Sequence, residues 1–411
     1  MTEREFANDV VARLQAAGFA TLFAGGCVRD ELLGLLPADY DIATAATPEQ
    51  VKLHFRRCHS FGASFGVVEV LGPRDEQGEW LKVQVATFRS DGVYTDGRRP
   101  DAVTFSSPEE DAARRDFTVN GMFLDPIAGR VIDYVGGQAD LTAMRLRAIG
   151  DPHLRFAEDK LRLLRAVRMA ARFKLTVDPE TLAAGIAMAD QIAVVSQERI
   201  AEELRKMLAN PHRLRGITLA HDFGLLPYIL PGVPTVEEKW ERLKRTINAL
   251  PMQASFELSL AVLLHGWSAK PTLELCRRLR LSNQEIERIT WLVEFGSALR
   301  DAPALVKSKL YPILIRPGID ELLTLHRAAA IAGDESVAHV DFCERLLLEL
   351  PAERLNPPPL LTGDDLAALG LRPGPQFKRL LDAVRTAQLD ETIHTRADAE
   401  ALVRSLQHLA G

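Results

Sequence analysis

Phe19-Ala20-Thr21-Leu22-Phe23-Ala24-Gly25-Gly26-Cys27-Val28-Arg29-Asp30, followed a little further on by Asp39-Tyr40-Asp41-Ile42-Ala43-Thr44, decides how the chain is to be read. The apolar run up to Ala24 has the character of a buried strand, and the residues after Gly26 have helical spacing. Adjacent glycines let the backbone approach a ligand closely, and the helix N-terminus that follows Gly26 offers N–H groups to a phosphate. Arg29 can add a fixed cation there. Residues i and i+2 of a strand project to one face, so the carboxylates of Asp39 and Asp41 can meet at one metal site. Hard oxygen ligands of this kind suit Mg²⁺, which commonly takes one or two carboxylates plus substrate phosphates. A bare Asp-x-Asp triplet also fits a solvated turn, and Gly25-Gly26 with Arg29 also fits a helix entry with a surface ion pair. No GxxxxGK[ST] occurs, which excludes a P-loop ATPase.

Working outward, the first part of the chain, residues 1–149, mixes short strands with helices. FATLFAGG, DYDIAT, FGVVEVL, WLKVQVATF and RVIDYV are β-like runs bounded by Gly, Pro and Asp. Between them lie helical patterns. MTEREFANDVVARLQAAG is amphipathic with acids in its first turn, and TPEQVKLHF opens with Thr47 as N-cap and Pro48 at the first helical position. Past about Gly150 the strand signals nearly vanish. FAEDKLRLLRAVRMAARF, PETLAAGIAMADQIA and SQERIAEELRKMLA all show helical spacing, the last with Ser196 as N-cap. Asn356-Pro357-Pro358-Pro359 reads as a stiff linker before a small helical unit. The expected plan is α+β: a small mixed sheet with helices over 1–149, then an elongated all-α remainder divided into 150–210, 211–355 and 356–411.

Bulk properties narrow the function classes. The length of 411 residues suggests roughly two to four units. No run approaches the roughly 18 apolar residues of a membrane span, and the N-terminal stretch does not read as a signal peptide. Cys27, Cys58, Cys276 and Cys343 are far apart and form no CxxC pair, which fits a reduced, cytoplasmic chain better than a disulfide scaffold or zinc site. A net charge of −6 argues against a globally basic nucleic-acid binder but leaves room for local basic surface. From Arg145 to Lys174 the basic residues far outnumber Asp151, Glu158 and Asp159.

Two further constellations lie downstream. Arg114-Arg115-Asp116-Phe117-Thr118-Val119-Asn120-Gly121 also fits a salt-bridged helix start. In Glu158-Asp159-Lys160-Leu161-Arg162-Leu163-Leu164-Arg165-Ala166-Val167-Arg168, Asp159, Arg162, Arg165 and Arg168 recur every third residue as one polar stripe on a helix. Leu161, Leu164 and Val167 fall on the side that would pack. In isolation such a stripe also fits a solvated ion-pair ladder.

In this order the motifs closely resemble those of class II tRNA nucleotidyltransferases, the CCA-adding enzymes, which share a polymerase-beta-like head with bacterial poly(A) polymerases. The resemblance runs over nearly the whole chain, though residues 211–350 match only in helical character. It implies that Asp39 and Asp41 hold catalytic Mg²⁺, that Gly26, Arg29 and Arg115 serve the triphosphate, and that Asp116 accepts from the ribose 2′-OH. It implies that Asp159 and Arg162 read the base edge, with Arg165 and Arg168 completing the nucleotide site. Arg162 offers a fork of donors and Asp159 acceptors. Cytosine and adenine both place an exocyclic amine beside a ring-nitrogen acceptor, so one pair can serve both, while guanine and uracil leave buried partners unpaired.

The expected activity is therefore addition of C and A to the 3′ end of tRNA from CTP and ATP. Alternatives are a specialised A-adding or CC-adding enzyme, a poly(A) polymerase, and a catalytically weak tRNA-binding protein. Phe88 to Pro100 resembles the flexible loop of complete CCA-adding enzymes, which favours A addition. Gln84 departs from the pattern, standing where the family commonly has a carboxylate; an amide is a poor general base. Met169 replaces a more usual aromatic and reads as core variation.

His221-Asp222 invites an HD-phosphohydrolase reading, but the likeliest partner, Leu263-Leu264-His265-Gly266, has Gly where Asp is wanted. Trp240, Trp267 and Trp291 sit at helix-like positions and are expected in the core.

Overall fold

The computed structural model describes residues 1–61, 66–76, 78–92 and 103–408. The chain forms two compact units, Met1–Gly232 and Val233–Gly411.

The first unit is built on strands β1 (Thr21–Ala24), β2 (Asp41–Thr44), β3 (Cys58–Phe61), β4 (Val67–Arg74), β5 (Trp80–Thr87), β6 (Arg89–Asp91), β7 (Val103–Phe105), β8 (Phe123–Asp125) and β9 (Arg130–Ile132). Seven of them make one mixed sheet in the order β3-β4-β5-β2-β1-β8-β9, while β6 and β7 pair separately. Only β2 and β5 run parallel in the large sheet.

Helices α1 (Glu3–Ala16), α2 (Gly26–Leu32), α3 (Pro48–His54), α4 (Pro108–Ala113) and α5 (Gly137–Thr142) surround it. Helix α1 starts with a capping box between Thr2 and Glu5 and buries Phe6, Val10, Val11 and Leu14. Thr47 caps α3 and Pro48 opens it, as expected. Alternation assigns the two faces: Ile42, Val68, Val70, Val83 and Val85 are buried on the side packed by α1 and α3, and Phe23 stacks on Tyr40 with ring centroids 5.2 Å apart. On the other face Leu22, Ala24, Ala43, Phe88, Ala112 and Phe123 form a second core cluster. Asp41 belongs to this second face, two residues before Ala43. Across the sheet its register partners are Gln84 on β5, then Glu69 on β4 and His59 on β3.

Helices α6 (Pro152–Glu158), α7 (Leu161–Arg172), α8 (Pro179–Ala187), α9 (Gln197–Leu208), α10 (Arg213–Asp222) and the short α11 (Leu226–Ile229) follow in the same unit. FAEDKLRLLRAVRMAARF is thus two helices. The chain is extended at Asp159, with φ −145° and ψ 104°, before α7 begins. Ser196 stands at the N-cap of α9, but its side chain makes no capping hydrogen bond. Among the described residues the strand found past residue 150 is Thr176–Val177, which pairs in parallel with Arg145–Leu146.

The second unit is helical among the described residues. Trp240 and Trp291 are buried, as expected, and Trp267 is half-buried. His326, in the helix Ile319–Ala332, is buried with Nε2 2.9 Å from the Phe295 carbonyl oxygen and its ring edge-on to His339. Burial pushes its pKa down to about 4, helped by positive charge at His339, His265 and Arg300. The proline segment is pinned as well as stiff. Arg385 donates to the Pro357 carbonyl and to Asn356 Oδ1, both at 2.6 Å, and Gln388 to the Pro358 carbonyl at 2.7 Å. Beyond it Leu361, Leu366, Leu380, Val384, Ala399 and Val403 form a separate small core. Among the described residues no helix is long and apolar enough to cross a membrane.

Candidate active site

A cleft of about 550 Å³ in the first unit gathers all ten residues expected to serve nucleotide and metal: Gly26, Arg29, Asp39, Asp41, Arg115, Asp116, Asp159, Arg162, Arg165 and Arg168. That volume suits a nucleotide. The sheet supplies the carboxylates, the turn after α4 the Arg115-Asp116 pair, and α7 the row of guanidinium groups.

Asp39 lies in the bend before β2 and Asp41 is the strand's first residue, so one of the pair is off the strand that was to carry both. Tyr40 still turns inward between them, leaving both carboxylates accessible in the cleft. Neither carboxylate takes a hydrogen bond or ion pair from the described residues. Desolvation by the surrounding protein, then the charge of Asp39, raise the Asp41 carboxyl to about 6, and Arg115 opposes this weakly. Two uncompensated carboxylates side by side are a donor set that a hard divalent cation satisfies. Among the described residues no cluster of three or more His, Cys, Asp or Glu suits a metal ion. Two protein carboxylates still fit Mg²⁺, which fills its remaining positions with water and phosphate. His221 and Asp222 sit side by side with Nδ1 3.4 Å from Oδ1, and no third metal-binding group of the described residues joins them.

At the glycine turn, Gly25 precedes α2 with φ +74° and ψ −124°. A Cβ there would stand 2.8 Å from Arg115 Nη1, so the missing side chain is what lets this guanidinium lie over the turn. Arg29 is more enclosed than a surface cation would be, at 6% exposure. Its Nε and Nη2 donate to Asp30 Oδ1 at 2.8 and 2.5 Å, Nη1 donates to Asn120 Oδ1 at 2.5 Å, and its plane lies 4.0 Å from the Phe173 ring centre. Met169 lines the cleft and receives a weak contact from Arg29 Nη1, so it belongs to the site wall as well as to the core.

The phosphate side is ordered by a residue the sequence did not mark. Asp111, 1% exposed, accepts from Arg114 Nε and Nη2 on Oδ1, at 3.0 and 2.8 Å, and from Arg115 Nε and Nη2 on Oδ2, at 3.1 and 2.8 Å. Both arginines line the cleft. Asp116 is held from two sides: Arg165 Nε and Nη2 donate to Oδ2, while Asn120 Nδ2 and the Phe117 N–H donate to Oδ1. Burial alone would raise its carboxyl, but Arg165, Asn120 and Arg162 together hold it well below the usual carboxylate range.

Because the chain breaks at Asp159, that residue precedes the helix of Arg162, Arg165 and Arg168 instead of sharing it. The stripe is therefore three arginines long, with the aspartate facing the same cleft from the junction. Arg162 Nη1 donates to Glu158 at 2.5 Å and to the Arg155 carbonyl at 2.9 Å, and Nη2 to the Arg114 carbonyl at 3.3 Å. Helix α9 braces the row: Arg199 Nη1 and Nη2 donate to the two Asp159 oxygens at 3.1 and 2.7 Å, and Glu203, 3% exposed, pairs with Arg168 and approaches Arg165 at 3.7 Å. Asn120 and Arg114 stood inside a marked motif without a role; Asp111, Arg199 and Glu203 carried no local sign of their pairing.

Of the loop expected at Phe88–Pro100, residues 93–100 lie outside the described residues; Arg89–Asp91 form β6.

A mixed sheet presenting paired carboxylates beside a cleft rimmed by arginines and capped by a helical module defines a nucleotidyltransferase. Residues 21–147 match the family model described as poly A polymerase head domain, and residues 174–235 that described as probable RNA and SrmB-binding site of polymerase A. A CCA-adding enzyme of Levilactobacillus brevis is 34% identical over 385 residues, 92% of each chain, and one of Geobacillus thermodenitrificans is 32% identical over 95% of this chain and 94% of its own. The crystal structure of the Bacillus stearothermophilus CCA-adding enzyme in complex with CTP is 28% identical, with a TM-score of 0.78 over 100% of this chain and 99% of that one. The Thermotoga maritima CCA-adding enzyme complexed with tRNA, at 21% identity and a TM-score of 0.67, shares the fold. The chain belongs to the CCA-adding enzyme family.

Proposed function

We propose that this protein adds C and A to the 3′ end of tRNA from CTP and ATP, releasing pyrophosphate, with Mg²⁺ as its metal. Enzymes of the family need a divalent ion; the choice of Mg²⁺ follows from a two-carboxylate, all-oxygen donor set. The observation that carries the reading is the single cleft in which two uncompensated carboxylates, the Asp111-held arginines and the Asp159–Arg162 pair all meet.

In this reading Asp39 and Asp41 hold the metal. When bound, the metal would activate the primer 3′-OH and neutralise the departing pyrophosphate. Arg115, with Arg29 behind the Gly25-Gly26 turn, faces the triphosphate. Asp116, ionised throughout the working pH range, accepts from the ribose 2′-OH. Asp159 accepts from the exocyclic amine of cytosine or adenine, and Arg162 donates to the adjacent ring nitrogen. Arg165 and Arg168 set the wall of the pocket. Gln84, next to Asp41 across the β2–β5 ladder, contributes a hydrogen-bonding amide and no proton acceptor of carboxylate strength. We assign residues 1–149 to the catalytic head, 150–210 to the base-reading neck, 211–355 to a helical body and 356–411 to a tail, the last two gripping tRNA by phosphates and shape.

The test is an incorporation assay with tRNA ending before CCA, after CC, and after a single C, each offered one nucleotide at a time. C entering the first and third substrates and A the second is the expected pattern. A entering CC-ended tRNA with no C entering any of the three substrates would reveal a specialised A-adding enzyme, and runs of A on generic RNA would sink the proposal in favour of polyadenylation.

A further inference from the structure

Helix α9 carries a cation where helices favour acids. Arg199 is the third residue of α9, within the turn whose exposed N–H groups make it positive, and Ser196 gives that end no side-chain cap. A placement that costs helix stability calls for a compensating contact. Arg199 has one: its guanidinium lies end-on to Asp159, one nitrogen to each oxygen at 3.1 and 2.7 Å, across 40 residues of sequence. Asp159 sits in the extended break between α6 and α7, so no helix fixes its orientation. Its other contact is the Leu161 N–H at 3.1 Å. Both side chains are largely enclosed, at 22% and 15% exposure.

We infer that Arg199 is a positioning residue for base selection: by its two-pronged hold on Asp159 it turns that carboxylate's remaining lone pairs toward the incoming base. This rests on the proposed role of Asp159 in reading the base. A carboxylate oxygen accepts more than one hydrogen bond, so the bond to Arg199 leaves acceptor capacity for an exocyclic amine. A planar fork fixes the carboxylate plane, whereas a lysine at the same place supplies charge without a plane. The hold therefore acts on geometry, and geometry is what separates a base with an exocyclic amine beside a ring-nitrogen acceptor from uracil or guanine. Arg199 does not line the cleft and would not touch the nucleotide.

The experiment compares Arg199→Ala, Arg199→Lys and Asp159→Ala in the full chain. The measurements are kcat and KM for CTP, incorporation of UTP and GTP under the same conditions, and the melting temperature. Lys206→Ala, an exposed position on the same helix, is the control. Expected for Arg199→Ala is a rise in KM for CTP of about tenfold or more, a smaller change in kcat, and at least tenfold weaker rejection of UTP, with melting within a few degrees of the parent. Arg199→Lys should retain binding better than Arg199→Ala but recover little of the selectivity. Unchanged UTP rejection in Arg199→Ala, with rejection lost in Asp159→Ala, overturns the positioning role alone. Unchanged rejection in both overturns base reading by Asp159 as well. A selectivity loss that tracks a large drop in melting temperature also counts against the inference, because it marks Arg199 as a fold-supporting residue only.

Discussion

Asp116 and Arg165, 49 residues apart in the chain, meet side-on: Arg165 Nε and Nη2 both donate to Asp116 Oδ2, at 3.0 and 2.7 Å. This contact ties the sheet unit that carries the carboxylates to the helix that carries the arginine row. Asp116→Asn keeps the shape but removes the nearer charge partner of the guanidinium, leaving Glu203 at 3.7 Å. The expected loss is about 2 kcal/mol, below the full value for a broken buried pair because Arg165 keeps contact with water. Discrimination between ribo- and deoxyribonucleotides should narrow at the same time. Denaturant unfolding and paired CTP and dCTP kinetics read the two effects, and intact sugar discrimination would remove Asp116 from the ribose contact.

Asp39→Ala and Asp41→Ala should each abolish turnover while sparing tRNA affinity, since both side chains face the cleft without protein partners. Labelled CTP incorporation and a gel-shift titration with the same tRNA check this. Residual turnover above about a thousandth of the parent in either variant would contradict a shared metal site.

Gly25→Ala tests the turn. The residue must keep φ +74°, which costs an alanine about 1–2 kcal/mol, and the new Cβ falls 2.8 Å from Arg115 Nη1. The guanidinium must move off the phosphate side, so KM for both CTP and ATP should rise at least fivefold. Equal KM values with reduced stability would mean that Arg115 does not serve the triphosphate.

Gln84→Glu places a carboxylate beside Asp41 in the β2–β5 ladder. With a proton acceptor restored there, the single-turnover rate at saturating Mg²⁺ should increase, by about tenfold or more. A rate equal to or below the parent's would show that the two aspartates suffice as they stand.

His326 predicts an acid limit to stability. Its pKa is lowered to about 4, so the folded state binds fewer protons than the unfolded state between about pH 6.5 and pH 4. Stability contributed by the neutral ring is fully present above that window and is lost as pH falls through it, amounting to about 3 kcal/mol. Denaturation midpoints across the window should fall in the parent and flatten in His326→Gln; a parallel slope in both would reassign the effect.

Much of the head could be read directly. The alternation in WLKVQVATF, the Thr47–Pro48 start of α3 and the acids at the start of α1 are local patterns, and local patterns survive in a linear string. Strand β3, Cys58–Phe61, lacks apolar alternation and owes its place to pairing with β4. Strand β8 is three residues long and sits between β1 and β9, where burial by neighbours replaces length. Periodicity joined Glu158 to Arg172 into one helix because Asp159 and Lys160 interrupt no hydrophobic spacing, though the backbone extends there. The ten cleft residues were legible because they stand in motifs of fixed spacing. Their partners were not, because Asp111, Arg199 and Glu203 gain their meaning from contacts that no local spacing encodes.

The carboxylate of Asp111 has a consequence for how the site tolerates change. One buried anion anchors two cationic side chains, one on each oxygen, so Arg114 and Arg115 do not vary independently. Losing either arginine leaves the anion half-satisfied and shifts the other; losing the anion removes the anchor they share, leaving Arg114 on the Arg89 carbonyl and Asp91 and Arg115 on the Asn120 carbonyl. In a double-mutant cycle the pair should therefore behave as one thermodynamic unit, with the second deletion costing much less than the first. Variation within the cleft is then constrained in blocks: this acid and its two bases would be retained or replaced together.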